Sequence, residues 1–242
     1  RVPMQPIVEI ARRRGLLLFE DCAQAFVGQD DLGDPGVNVS MFSFGIIKTA
    51  TALGGALLRV ADPTLRERMQ AIQANYPLQT RGFFVWRLLK ICLLKAISRP
   101  RLYGLATRLI DAICGDYDRV ISATTRGFPG PDFLARIRQR PSGPLLALLE
   151  RRLNRYDPGR IRRRAACGER VNRTLPDWIE RPGKYASSHT YWVYPIVTEE
   201  PERLIAALRS AGFDATRGAT SLTAIAAPPG RPECEPVQAR RA

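Results

Sequence analysis

Asp21 and Lys48 are the residues whose types and surroundings best suit them to chemistry. Lys48 stands in "MFSFGIIKTATALGGALL" (41–58) and is the only charged residue between Ser40 and Leu58. The chain holds 37 Lys plus Arg, yet lysine occurs only at Lys48, Lys90, Lys95 and Lys184. An ammonium in apolar surroundings loses hydration, which lowers its pKa, and the neutral amine can condense with a carbonyl. Arginine stays protonated and can do neither. Asp21 ends the apolar run "LLLFED" (16–21). A carboxylate at the end of a buried strand is costly to desolvate unless a cation or donor meets it. Pyridoxal phosphate (PLP) needs both groups, an amine for its aldehyde and a carboxylate for its pyridinium nitrogen. On spacing alone a plainer reading is favoured, in which Asp21 caps a local turn and Lys48 reaches out from a core strand.

The elements that must position this pair follow from periodicity. Met4, Ile7, Val8, Ile10 and Ala11 recur at helical spacing, with Gly15 where a helix would stop. "LLLFED" reads as a fully buried parallel strand, followed by the Gly/Asp/Pro-rich loop "GQDDLGDPG". "VSMFSF" and "GGALLRV" read as further apolar segments, and Asp62-Pro63 as the N-cap and first position of a helix over "TLRERMQAIQAN". Strands that feed ligand-facing loops at their carboxyl ends, with helices between, make an α/β arrangement.

Further along, residues 83–114 predict two helical pieces split at Pro100, with Arg87, Lys90 and Lys95 interrupting the first. No apolar run there reaches the ~18 residues needed to span a bilayer. A packed accessory hairpin is the expectation, with peripheral membrane contact through 83–114 as the alternative. Helical pattern resumes at Leu145, and Asp157-Pro158 opens a basic helix over "GRIRRRAACGERVNRTL". The last part reads strand ("TYWVYPIV"), helix ("PERLIAALRSAG"), strand ("FDATR"), a small α+β domain. The expected division is 1–80 as part of a large domain, 81–142 as an inserted hairpin and linker, and 143–242 as connecting helices and the small domain.

The net charge of +14 raises the prospect of an anionic partner, against a plain bias towards arginine on a solvated surface. Five cysteines are dispersed and form no CxxC pair, which favours reduced thiols in a cytoplasmic protein and argues against a zinc site. His189 is the only histidine, so chemistry that needs two is excluded within this chain. The opening at Arg1, directly before a helical pattern, leads us to expect a fragment of a longer protein.

"EIARRRGLLLFEDCAQAFVG" followed by "MFSFGIIKTATALGGALL" resembles the DegT/DnrJ/EryC1/StrS aminotransferases. The family pattern is an apolar strand ending in Glu-Asp, then Ala-Gln or Ala-His, Ser-Phe, a lysine four residues on, and a Gly-Gly strand start. Glu20-Asp21, Ala23-Gln24, Ser43-Phe44, Lys48 and Gly54-Gly55 fill those places. The resemblance implies a fold-type-I PLP-dependent transferase, with a large domain on a mixed, mostly parallel sheet and a small C-terminal domain. It implies that Lys48 holds the cofactor and moves a proton, Asp21 pairs with the pyridinium nitrogen, Gln24 contacts the phenolic oxygen and Ser43 binds the phosphate; no metal is implied. It further implies a homodimer that moves an amino group from a donor such as glutamate to a keto acceptor, typically a nucleotide-linked keto sugar. "RQRPSGPLLALL" does not show the family's Asn-x-Arg-Met segment, and "RGATSLTAI" stands where many relatives have a Tyr and a His. A PLP-fold dehydratase or non-catalytic regulator is the nearest alternative. Relatives that dehydrate carry histidine in place of the lysine, so Lys48 favours transamination. A basic nucleic-acid or membrane-surface binder is the alternative from another class, without aromatics interleaved among its arginines.

Overall fold

The computed structural model describes residues 3–97, 133–184, 186, 188–213 and 215–216. They form an α/β structure in two compact units, which divide between Arg163 and Arg164.

In the first unit, α1 (Gln5–Arg13) buries Val8 and Ala11, and the chain turns out of it at Gly15 with φ +61°. β1 (Phe19–Asp21) pairs in parallel with β2 (Val39–Ser43), which pairs antiparallel with β3 (Ala56–Val60). The sheet is therefore mixed, as expected, with β2 in the centre. α2 (Pro63–Ala74) starts where the sequence indicates, because Asp62 Oδ1 accepts from Thr64 N at 2.7 Å and Leu65 N at 3.4 Å. Such a cap contributes about 1 kcal/mol. α3 (Arg81–Ile97) is capped by Thr80, whose Oγ1 accepts from Phe83 N, and it packs on α5 (Gly143–Asn154). The short α4 (Phe133–Ile137) lies between them in sequence. The second half of the expected 83–114 hairpin falls outside the described residues.

The expectation of a fully buried "LLLFED" strand is overturned. Only Phe19–Asp21 forms strand, and Leu16, Leu17 and Phe19 are 60, 77 and 53% exposed. The physical reason is that, among the described residues, β1 is an edge of this sheet, hydrogen-bonded to β2 alone. Burial instead concentrates beneath β2. Cys22, Phe26, Phe42, Phe44, Ala50, Ala52 and Leu149 form one core cluster, with Tyr156 packed against it. Phe26 meets Phe42, Phe44 and Tyr156 edge-on at centroid distances of 6.0, 5.3 and 5.0 Å. Edge-to-face pairs add about 0.5–1.5 kcal/mol each beyond the area they bury.

The division between units falls inside the basic helix α6 (Gly159–Thr174), which begins with Asp157 Oδ1 accepting from Gly159 N. In the second unit α7 (Pro201–Ser210) forms as the periodicity indicates. The strand expected over 190–197 does not form among the described residues. Of its backbone amides, Val197 N finds a carbonyl, that of Glu180, and no ladder develops. "FDATR" and "RGATSLTAI" lie partly and wholly outside the described residues. This unit is held by polar contacts: Arg181 is 6% exposed and its Nη1 donates to the Asn172 and Leu175 carbonyls. His189 Nδ1 accepts the Tyr191 amide at 2.9 Å, which ties the chain's only histidine to a local turn.

Candidate active site

Parallel pairing of β1 with β2 sets Asp21 beside Met41. Partners in register share a sheet face and side chains alternate along a strand, so Asp21, Met41 and Ser43 lie on one face. Glu20, Ser40 and Phe42 lie on the other. Both strands end in the same direction. Asp21 and Ser43 therefore stand at the carboxyl ends of a parallel pair, the place where α/β sheets hold ligands.

Lys48 comes from the loop that joins β2 to β3. Phe44 is its anchor: its amide donates to Gly55 O, while its carbonyl accepts from Ala52 N at 2.9 Å and Gly54 N at 3.0 Å. A turn with Lys48 N donating to Gly45 O at 3.1 Å lifts the lysine at the far side of this loop. The return leg is shaped by Leu53 at φ +66°, whose amide donates to Thr51 Oγ1, and by Gly55 at φ +82°. The residue Gly45 leaves room at the centre. A point where its Cβ would sit is 3.7 Å from Ser43 Oγ and 3.7 Å from Lys48 Cγ. Serine and lysine thus border one shared space.

Electrostatics mark the lysine. Burial holds the Lys48 amine below the ordinary lysine range, and the Asp21 charge opposes that shift. Asp21 Oδ1 accepts from Ala23 N at 2.9 Å, so the carboxylate closes a turn that presents Gln24. Gln24 Oε1 and, next to Lys48 in sequence, Thr49 Oγ1 are buried and make no hydrogen bond. Leaving such groups unmet costs about 1–3 kcal/mol each, so a polar ligand that reached them would recover that cost. The residues present suit PLP: a desolvated amine, a carboxylate that acts on it, a strand-end hydroxyl and a glutamine amide.

Residues 1–83 match the model of the DegT/DnrJ/EryC1/StrS aminotransferase family. That segment is similar to an aminotransferase family. No curated protein matches the chain. Among solved structures it is similar to the aminotransferase TlmJ from Streptoalloteichus hindustanus, at 19% identity and a TM-score of 0.47. The match covers 85% of this chain and 45% of that one, so the chain spans under half the length of that protein.

All four residues singled out in the sequence, Asp21, Gln24, Ser43 and Lys48, lie inside the DegT/DnrJ/EryC1/StrS segment. The structure brings Ser43 and Lys48 to one space and puts Asp21 within electrostatic reach of the lysine. It places Gln24 one turn beyond Asp21, and nothing here draws its amide to the other three. Sequence reasoning missed three supports. Thr49 was hidden because a threonine next to a lysine carries no periodic signal. Glu20, the other half of the Glu-Asp pair, points away from Lys48; its Oε2 accepts from Asp34 N at 2.8 Å and Ser40 Oγ at 3.2 Å. Arg87 Nη1 donates to the Leu53 carbonyl at 2.8 Å, and its place as a charge within an apolar helix was the available signal. Among the described residues no cluster of His, Cys, Asp or Glu is arranged to hold a metal ion.

Proposed function

We infer that this chain is part of a PLP-dependent aminotransferase that moves an amino group from an amino acid, glutamate by preference, to a nucleotide-linked keto sugar. The observation that carries the reading is the burial-depressed Lys48 amine, sharing a space with Ser43 and sensing Asp21, inside a segment that matches an aminotransferase family. When bound, PLP supplies an electron sink for breaking bonds to the amino-bearing carbon.

The chain's own residues account for the rest. Lys48 has a lowered pKa, so near neutral pH more of it is unprotonated than of an ordinary lysine, and its Nζ can give up and take back a proton during turnover. Asp21 would keep a ring nitrogen protonated through its carboxylate, whose second oxygen has no hydrogen-bond partner among the described residues. Ser43 would donate to a phosphate oxygen and Gln24 to the phenolic oxygen. In this reading the working protein is a cytoplasmic homodimer.

The test is borohydride trapping of PLP on the full-length protein, with the adduct located by mass spectrometry. Trapping on Lys48 is expected, and Lys48→Ala should abolish it. An adduct on Lys90, Lys95 or Lys184 in place of Lys48 would overturn the reading.

A further inference from the structure

We propose that α3 is a membrane-docking helix that lies in the interface of an anionic bilayer, with Val85, Trp86, Leu89 and Leu93 entering the lipid. The usual amphipathic logic places polar residues on the solvent side of a surface helix. Here the solvent side is apolar. At about 100° per residue, Val85, Leu89, Leu93 and Trp86 fall on one face, with Gly82, Cys92 and Ala96 among them. Their exposures are 50, 58, 61 and 66% for Val85, Leu89, Leu93 and Trp86. The opposite face holds the buried Phe84 and the half-buried Arg87, Ile91 and Leu94. Arg87 is fixed there by its bond to Leu53 O and by stacking 4.7 Å over the Phe83 ring.

The charges fall where an anionic surface would want them. Lys90 lies along one border of the exposed apolar face, and Arg81 and Lys95 lie along the other. The helix "RGFFVWRLLKICLLKAI" contains no Asp or Glu. An exposed apolar face with a tryptophan, bordered by basic residues, is the pattern of interfacial helices. Each Lys or Arg near an anionic surface adds to the attraction. No helix among the described residues is long and apolar enough to cross a bilayer.

Area decides against a second copy of the chain as the occupant. Seventeen residues make a helix about 25 Å long and 10 Å wide, a face of roughly 250 Å². A stable protein interface takes about 800 Å² from each partner. A two-fold contact through this face would also set Arg81, Lys90 and Lys95 of one copy near the same charges of the other. A bilayer needs no reciprocal surface and supplies the opposite charge.

The experiment is co-sedimentation of the full-length protein with vesicles of phosphatidylcholine, alone or with about one-third phosphatidylglycerol. Entry of Trp86 is followed by quenching with brominated lipid, as the quenching lost on Trp86→Phe. Binding is expected on the anionic vesicles, falling at least roughly tenfold in the neutral ones and on raising salt from about 0.1 to 0.5 M. The double variant Leu89→Glu/Leu93→Glu changes exposed positions only, so its circular dichroism should be unchanged while vesicle binding is lost. Equal binding of the double variant and the parent would overturn the proposal, because it would place the contact elsewhere on the basic surface. So would an absence of vesicle binding, including the case in which the same variant splits a dimer into monomers.

Discussion

Arg87 reaches from α3 to the carbonyl of Leu53, 2.8 Å away, and so fastens a helix to the loop that carries Lys48. Burial lowers the pKa of this guanidinium, so its one well-formed acceptor matters. Gly54 makes the contact possible, since a Cβ there would stand 2.2 Å from Arg87 Nη1. Arg87→Ala should destabilise by about 1.5–3 kcal/mol, the range for hydrogen bonds to charged groups. Gly54→Ala should expel the guanidinium and lose much of the same energy. The two changes are therefore expected to be strongly non-additive in urea melts. Additive losses would show that Arg87 and Gly54 act independently.

Gly33 is the second position where space is decisive. At φ +84°, an added Cβ would stand 2.3 Å from Ser40 Oγ and 2.6 Å from Glu20 Oε2. Ser40 is fully buried and Glu20 Oε2 already holds Asp34 N, so neither can retreat freely. Gly33→Ala should cost about 3 kcal/mol or more, from a clash and left-handed strain together. A variant with an unchanged denaturant midpoint would show that the 28–36 loop is pliable.

Asp21 should control the proton affinity of Lys48. Burial lowers that pKa and the Asp21 charge raises it, so Asp21→Asn is expected to lower it further. The rate of Lys48 acylation, followed by mass spectrometry against pH, should rise at lower pH in the variant than in the parent. The linkage has a definite sign. A lysine depressed below 10.5 in the folded state destabilises the fold while it is charged, and the penalty fades as pH rises towards 10.5. Lys48→Met should thus be the more stable protein near neutral pH, with the difference shrinking in alkali.

Tyr191 gives a spectroscopic test of the second unit. Its hydroxyl donates to Glu169 Oε1, accepts from Asn172 Nδ2 at 3.2 Å, and its ring stacks on Tyr194 at 5.8 Å. Desolvation, followed by the Glu169 hydrogen bond, pushes its pKa up to about 12. Ultraviolet titration should therefore show a tyrosine ionising at about pH 12, and Glu169→Gln should bring it down. Since the folded pKa is the raised one, Tyr191 supports the unit below the ordinary tyrosine range and that support is lost as pH climbs through about 12.

Local signals in the sequence were reliable where one residue dictates the backbone. Asp62-Pro63 announced α2 and Gly15 the end of α1, because capping and positive φ are decided within a few residues. The apolar run "VSMFSF" gave the central strand, since a strand flanked on both sides can be apolar throughout. "LLLFED" looked the same and is an edge, because neighbours in space, absent from local pattern, decide burial. "TYWVYPIV" reads as a strand yet has no partner to complete a ladder among the described residues. At the site, residue types pointed to Asp21 and Lys48. The supports from Glu20, Thr49 and Arg87 depend on side-chain directions that spacing does not encode.

The double acceptance at the Phe44 carbonyl also bears on how this sequence can change over time. Two amides, from Ala52 and Gly54, are counted off from one oxygen, which sets the present length of the ring that holds Lys48. A residue gained or lost between Gly45 and Leu53 would break that count and rotate the amine away from Ser43. The same change in the 28–36 loop would leave the ring untouched, though it would disturb the Gly33 contact. Insertions and deletions in descendants of this chain should therefore need a compensating change in the ring, while substitutions there that keep its length and its positive-φ positions remain open.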